Sequence, residues 1–315
     1  MAKPIIVGYD PKSSDRSPVA FALRAARFTG ARLVVASVGS GAGAEEESTG
    51  GRVEEDLVPT AAGALDELQR DLDAEGVAVE SVELNNTSAA RALHEAAEER
   101  DAGLLVVGST DRGAVGRVLV GSTAERLMHG APCPIAIVPH GWQAGAGLNT
   151  LGVAFVDTDE GHEALRGAYA LARSAEAKLR VLTAVKPGVR TTYGKQQAGG
   201  DVQHGKGETE VEGELRVRAE GELRGAIAAL GGDVAIESDA FVEDPADVLI
   251  NVSRNLDLLV CGSRGYGPRR AVLLGGVSRR LAAEAHCPVI VLPRGVESPL
   301  EALIAEAPGA ATAGS

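Results

Sequence analysis

The chain has little with which to brace itself covalently or to stack bases. Its three cysteines give no even disulfide framework, and Cys133, Cys261 and Cys287 show no C-x-x-C spacing for a metal. Buried, reduced thiols in a cytoplasmic protein are the simplest reading. Aromatic residues are 3% of the chain, too few for a platform that stacks single-stranded nucleic acid. The formal net charge of −13 argues against a broad phosphate-backbone interface with DNA or RNA, yet leaves room for one local nucleotide pocket. No apolar run approaches the ~20 residues of a membrane span, and the opening MAKPIIVGYD has no cleavage-site pattern. The histidines have no ligand spacing, so no metal site is expected, and no nucleophile–base pair can be argued from spacing. No G-K-[ST] follows a glycine loop, which excludes a Walker A motif. An enzymatic role is therefore not expected beyond slow, incidental hydrolysis.

What is present is a long tandem repeat. Residues 104–139, LLVVGSTDRGAVGRVLVGSTAERLMHGAPCPIAIVP, are matched by 258–293, LLVCGSRGYGPRRAVLLGGVSRRLAAEAHCPVIVLP. Gly108 falls on Gly262, Gly121 on Gly275, Arg126 on Arg280 and Cys133 on Cys287, always 154 residues apart. A repeat of this length is a whole domain written twice. The first domain is expected over 1–140 and the second over 150–295, with 296–315 a flexible tail. PIIVGYD at 4–10, ARLVVASVG, VAVESVEL, GLLVVG and CPIAIVP read as strands, separated by helical patterns that include residues 54–76. LGVAFVD opens the second copy in the same order. Two polar insertions, at 39–51 and 186–207, interrupt corresponding places. Strands alternating with helices predict an α/β fold of two tandem, open, five-stranded parallel sheets flanked by helices.

In such sheets ligands bind beyond the carboxyl ends of the strands. Asp10, Asp157, Gly108 and Gly262 all stand at predicted strand ends, with Asp10 and Asp157 read as counterparts 147 residues apart. Glycine removes the Cβ that would keep a ligand away, and the helix that follows offers unpaired N–H groups to an anion. The second copy carries Gly262-Ser-Arg264-Gly265, nine residues, then Gly275-Gly276. The first carries Gly108-Ser-Thr-Asp111, nine residues, then Gly121-Ser122-Thr123. Ser122 and Thr123 also suit a helix cap, and Asp10 also suits a turn.

These motifs resemble the ATP-binding subgroup of the universal stress protein family, in a tandem two-domain form. The resemblance spans nearly both copies. It implies a Rossmann-like, adenine nucleotide alpha-hydrolase-like fold with ATP against the strand ends. It places Asp10 and Asp157 at the adenosine and Val38 and Val185 near the base. Gly108, Gly121, Ser122 and Thr123 would flank the phosphates of the first copy, and Gly262, Gly265, Gly275, Gly276, Val277 and Ser278 those of the second. It also implies that CPIAIVP and CPVIVLP join the copies as an intrachain pseudo-dimer, with a homodimer as a further option, and that the protein is a cytoplasmic stress or dormancy regulator. Two departures stand out. Asp111 replaces the second glycine and sets a negative charge near the phosphates, unless magnesium bridges them. Gly276 replaces a hydroxyl residue, which Arg264 would offset. Both sites are therefore expected to bind, the second more tightly. The alternatives are an interaction scaffold without nucleotide and a weak nucleotide hydrolase.

Overall fold

The computed structural model describes residues 2–39, 77–109, 121–143, 145, 147–186, 208–263, 275–293 and 300–304. The first copy contributes β1 (Ile5–Tyr9), α1 (Ser17–Thr29), β2 (Leu33–Gly39), β3 (Val79–Asn85), α2 (Ala89–Glu99), β4 (Leu104–Gly108), α3 (Ser122–Met128) and β5 (Ile135–Val138). The second contributes β6 (Thr150–Ala154), α4 (Asp159–Ser174), β7 (Lys178–Ala184), α5 (Glu208–Ala228), β8 (Ile236–Phe241), α6 (Pro245–Val252), β9 (Leu258–Gly262), α7 (Gly276–Glu284) and β10 (Val289–Leu292). The helix expected over 54–76 and both insertions lie outside the described residues.

Each copy builds five parallel strands, but they are not two separate sheets. The order is β3-β2-β1-β4-β5-β10-β9-β6-β7-β8, one sheet of ten strands. Its one antiparallel pairing joins the closing strands, with Ile137 opposite Val289 and Ile135 opposite Val291. A C-terminal strand left as an open edge would expose unpaired N–H and C=O groups, and pairing the two removes both edges at once. The outer edges that remain are charged. Glu80 on β3 is held by Arg32 at 3.2 Å and Arg100 at 2.6 Å, and Asp239 on β8 by Arg180 at 2.6 Å. Charge on an edge strand discourages further pairing.

The central strands are apolar on both faces because both faces are covered. Phe21 of α1, Leu165 of α4 and Leu223 of α5 share a core with Ile5, Val7 and Tyr9. Leu93 of α2, Leu127 of α3, Leu249 of α6 and Leu281 of α7 share the opposite one with Ile6. The three cysteines are free and buried; burial pushes each thiol up to about 12, which keeps it protonated and inert.

Two expectations need correcting. The first concerns register. Ile5 pairs with Leu33 and Leu104, and Leu151 pairs with Leu179 and Leu258. Since Leu104 and Leu258 are repeat partners, Ile5 matches Leu151, Tyr9 matches Phe155, and Asp10 matches Val156. Asp157 is one residue late. The cores agree, for Ile5, Val7 and Tyr9 face the same way as Leu151, Val153 and Phe155. A buried alternating pattern fixes register, and a shift of one residue would turn every side chain over. The second concerns the tail. Within the segment expected to be flexible, Leu300 is 0% and Leu303 1% exposed.

Candidate functional site

In each copy the strands end where the last helix begins, and this edge is the candidate crevice. In the first copy β1 runs into a turn in which the Ser13 N–H donates to the Asp10 carbonyl at 3.0 Å. The Lys12 N–H donates to Asp10 Oδ1 at 2.9 Å. Aspartate opening a turn with proline next is a favoured sequence, and Asp10-Pro11 has it. The Asp10 carboxylate is otherwise exposed at the strand end. In the second copy the extra residue is absorbed by a tighter turn, with the Thr158 N–H donating to the Val156 carbonyl at 2.7 Å. Asp157 sits at its centre and is held by His162 Nε2 at 2.8 Å. The His162 ring stands edge-on to Phe155, 5.2 Å between centroids.

On the far side of each crevice a short helix starts on glycine. Gly121 caps α3 and Gly275 caps α7, both with extended backbones and neither with a side-chain cap. This is unlike α2, α4 and α6, whose first amides are taken by Ser88, Thr158 and Asp244. Intrahelical bonding begins at Glu125 N–H to Gly121 O, 2.9 Å, and Arg279 N–H to Gly275 O, 3.0 Å. The amides of 122–124 and 276–278 thus come before the first helical bond, at the positive end of each helix. Among the described residues, a Cβ on Gly276 would meet nothing within 4 Å. Gly108 has a different reason to be glycine: its Cβ would lie 3.0 Å from Pro18 Cγ on α1.

The first crevice is rimmed by contacts that sequence spacing could not reveal. The Ser109 N–H donates to the Val138 carbonyl at 2.8 Å, and Ser109 Oγ accepts from the His140 N–H at 3.0 Å. His140 Nδ1 lies 3.1 Å from Asp15 Oδ2. Asp15 Oδ1 accepts from Ser17 N–H at 3.0 Å, from Ser17 Oγ at 2.6 Å and from Gly141 N–H at 3.4 Å. Burial alone would push the Asp15 carboxyl up. The hydrogen bonds from Ser17 and Gly141 and the nearby His140 more than offset this and hold it below the usual range. Two buried hydroxyls of the first copy, Tyr9 Oη and Ser37 Oγ, have no hydrogen-bond partner among the described residues. They lie on paired positions of β1 and β2. A separate cavity of about 240 Å³, lined by Lys3, Cys133 and Ala302, opens at the other end of the first copy's strands, away from its crevice.

The universal stress protein family model matches residues 1–139 and again 148–293. The chain belongs to the universal stress protein family. A universal stress protein of Mycobacterium tuberculosis is 27% identical over 247 residues, covering 74% of this chain and 79% of that one. Another, from Mycolicibacterium smegmatis, is 30% identical over 211 residues, 67% of each. Among solved structures, a functionally unknown protein from Pseudomonas aeruginosa superposes with a TM-score of 0.65 at 16% identity, covering 96% of this chain and 95% of that one. A universal stress protein from Archaeoglobus fulgidus gives 0.59 at 17% identity, with coverage of 94% and 100%. At such identities these structures speak for the α/β fold alone.

In this universal stress protein the implied site residues are only partly brought together. Asp10, Gly108, Gly121, Ser122 and Thr123 lie at one edge of the first copy, with Val38 at the end of β2. Ser122 and Thr123 do not cap α3, so their expected role as caps is corrected. In the second copy Gly262, Gly275, Gly276 and Val277 meet at the equivalent edge. Asp157 does not repeat Asp10, and Val185 is likewise one residue beyond the counterpart of Val38, which is Ala184. The Val185 N–H is spent on the Phe241 carbonyl at 2.9 Å. Ser278 is buried and turned inward, donating to Gly262 O at 2.9 Å, with Ser263 O at 3.3 Å. The Gly275 N–H donates to the Ser263 carbonyl at 2.9 Å. Asp111, Arg264 and Gly265 lie outside the described residues. Among the described residues no group of His, Cys, Asp or Glu could hold a metal ion, and no helix is long and apolar enough to cross a membrane.

Proposed function

We propose that this tandem universal stress protein binds ATP at both crevices and uses it as a ligand that biases conformation or partner choice in a cytoplasmic stress response. The observation that carries the reading is the pair of helices, α3 and α7, that begin on glycine without a side-chain cap. An anion at a helix N-terminus satisfies those amides and the dipole together. At the nucleoside end the copies differ, with Asp10 free to meet a ribose and Asp157 occupied by His162. At the phosphate end they differ the other way, with Asp111 in the first loop and Gly265 in the second. A charge-assisted hydrogen bond contributes about 1.5–3 kcal/mol. Two like charges at 4 Å cost about 4 kcal/mol near a protein surface. The phosphate end therefore wins, and the second crevice is the tighter. Magnesium would enter only through Asp111.

Mass spectrometry of gently purified chain should count two nucleotides at saturation. Thermal unfolding in ATP at 100 times Kd should show about 2.7 kcal/mol of stabilisation. Gly265→Glu should weaken binding more than Gly121→Glu; the reverse order overturns the ranking. A flat thermal response would favour an interaction scaffold. That reading draws on the donors already consumed in the second crevice, Ser278 Oγ and the Gly275 N–H.

A further inference from the structure

The antiparallel joint at β5·β10 has a geometric consequence. It sets the carboxyl ends of the second copy's strands level with the amino ends of the first copy's, since Val291 near the end of β10 pairs with Ile135 at the start of β5. The chain that leaves each crevice therefore arrives at the floor of the other copy. The linker does this first. It leaves the first crevice at His140, where Asp15 holds it. Trp142 then stands edge-on to Phe21 of α1, 5.9 Å between centroids. Arg24 of α1 donates to the carbonyls of Gly145 and Gly147. The linker ends on the floor of the second copy, where Asp257 Oδ2 accepts from Asn149 N–H at 2.7 Å and Thr150 N–H at 2.9 Å.

Residues 300–304 also reach the floor of the first copy, with different residues. β10 leaves the second crevice at Leu292, whose carbonyl accepts from Ser263 N–H at 2.9 Å. Leu300 is then buried against Gly167 of α4, and Leu303 against Gly103 and Lys3 at the floor of the first copy. Both glycines are sockets. A Cβ on Gly167 would lie 2.9 Å from Leu300 Cβ, and one on Gly103 would lie 2.7 Å from Leu303 Cδ2. The Lys3 N–H donates to the Ala302 carbonyl at 2.9 Å. One segment thus touches both copies and shares one core with both.

The geometry points to Leu300–Ile304 as a strap that ties α4 of the second copy to the floor of the first copy, so that the two move as one body. The strap stands on packing alone; its use in carrying a ligand signal rests on the nucleotide reading. Hydrogen exchange on the full-length chain separates the two. Replacing both Leu300 and Leu303 by alanine should speed exchange at the Lys3 and 103–105 amides by about tenfold or more, with 258–262 little changed. Unchanged exchange at Lys3 and 103–105 overturns the strap. If that variant does not fold, Gly103→Ala, which fills one socket, reads the same, and a soluble Gly103→Ala chain with wild-type exchange there is equally fatal. In a second arm, Gly121→Glu closes the first crevice so that ATP enters only the second. ATP should then slow exchange at 103–105 about threefold, and the double alanine change should abolish that slowing while protection at 276–278 persists. Slowing that survives without the leucines overturns the signalling role. No protection at 276–278 in either protein removes the nucleotide reading and leaves the strap to the first arm.

Discussion

The two copies build the same edge from the same elements and finish it differently. The first ends β1 in an aspartate-proline turn that leaves a carboxylate at the crevice. The second fits one more residue into a tighter turn and ties its aspartate to a histidine. The first keeps two buried hydroxyls without partners, where the second has Phe155 and Thr183. The second turns Ser278 inward, and its repeat partner in the first copy is Ala124, which has no hydroxyl to turn. The copies share the scaffold and differ at the rims, because core packing constrains the strands while exposed rim residues escape that constraint.

The comparison breaks most readily at the second turn. A Cβ on Gly161 would lie 1.8 Å from the Val156 carbonyl oxygen, a backbone atom with nowhere to go. Gly161→Ala should cost about 3 kcal/mol or more in urea unfolding. A cost below about 1 kcal/mol would mean that the tight turn yields and the copies are more alike than described.

The first rim is next. Asp15→Asn removes the carboxylate that gathers Ser17, His140 and Gly141, at a cost of about 1–2 kcal/mol. Because the folded-state pKa of Asp15 is depressed, its contribution is present above the ordinary value of 3.8 and is lost as pH falls through the folded value. The stability gap between wild type and Asp15→Asn should therefore be flat near neutrality and close in acid below that value. A gap that stays constant into strong acid would show that charge is not the cause.

Tyr9→Phe makes the first copy resemble the second. Removing a buried hydroxyl without a partner should stabilise the chain by about 1 kcal/mol. A loss of stability would reveal a partner such as a buried water. The smallest effect is expected from Gly276→Ser, which gives the second copy the Ser122 of the first. Stability should move by less than about 0.5 kcal/mol, since no atom of the described residues lies within 4 Å of the added Cβ. ATP affinity should rise about two- to tenfold, the equivalent of one neutral hydrogen bond. Unchanged affinity would remove the hydroxyl from the account.

Much of this was legible in the chain. Apolar runs ending in glycine or aspartate located the strands, and the repeat located both glycine-capped helices. The pairing of Asp10 with Asp157 was misread because both aspartates close an apolar run, and nothing in their spacing reveals an extra residue. Only the alternation of Val153 and Phe155 against Leu258 and Val260 in the folded sheet exposes the slip. The contacts of Asp15 with His140 and Gly141 join residues far apart in sequence, which no local pattern reveals. The two leucines of the C-terminal segment carry no sign in the sequence of where they are buried.

By itself the sequence determined two α/β copies with glycine-led helices at their strand ends, since local periodicity and backbone freedom suffice for that. Only the tertiary structure decided the register of Asp157, the inward turn of Ser278, the residue-by-residue register of the β5·β10 joint that the resemblance had implied, and the burial of Leu300 and Leu303 against different copies. Each of these depends on which distant backbone edge or side chain lies opposite, a matter settled by packing rather than by any spacing along the chain.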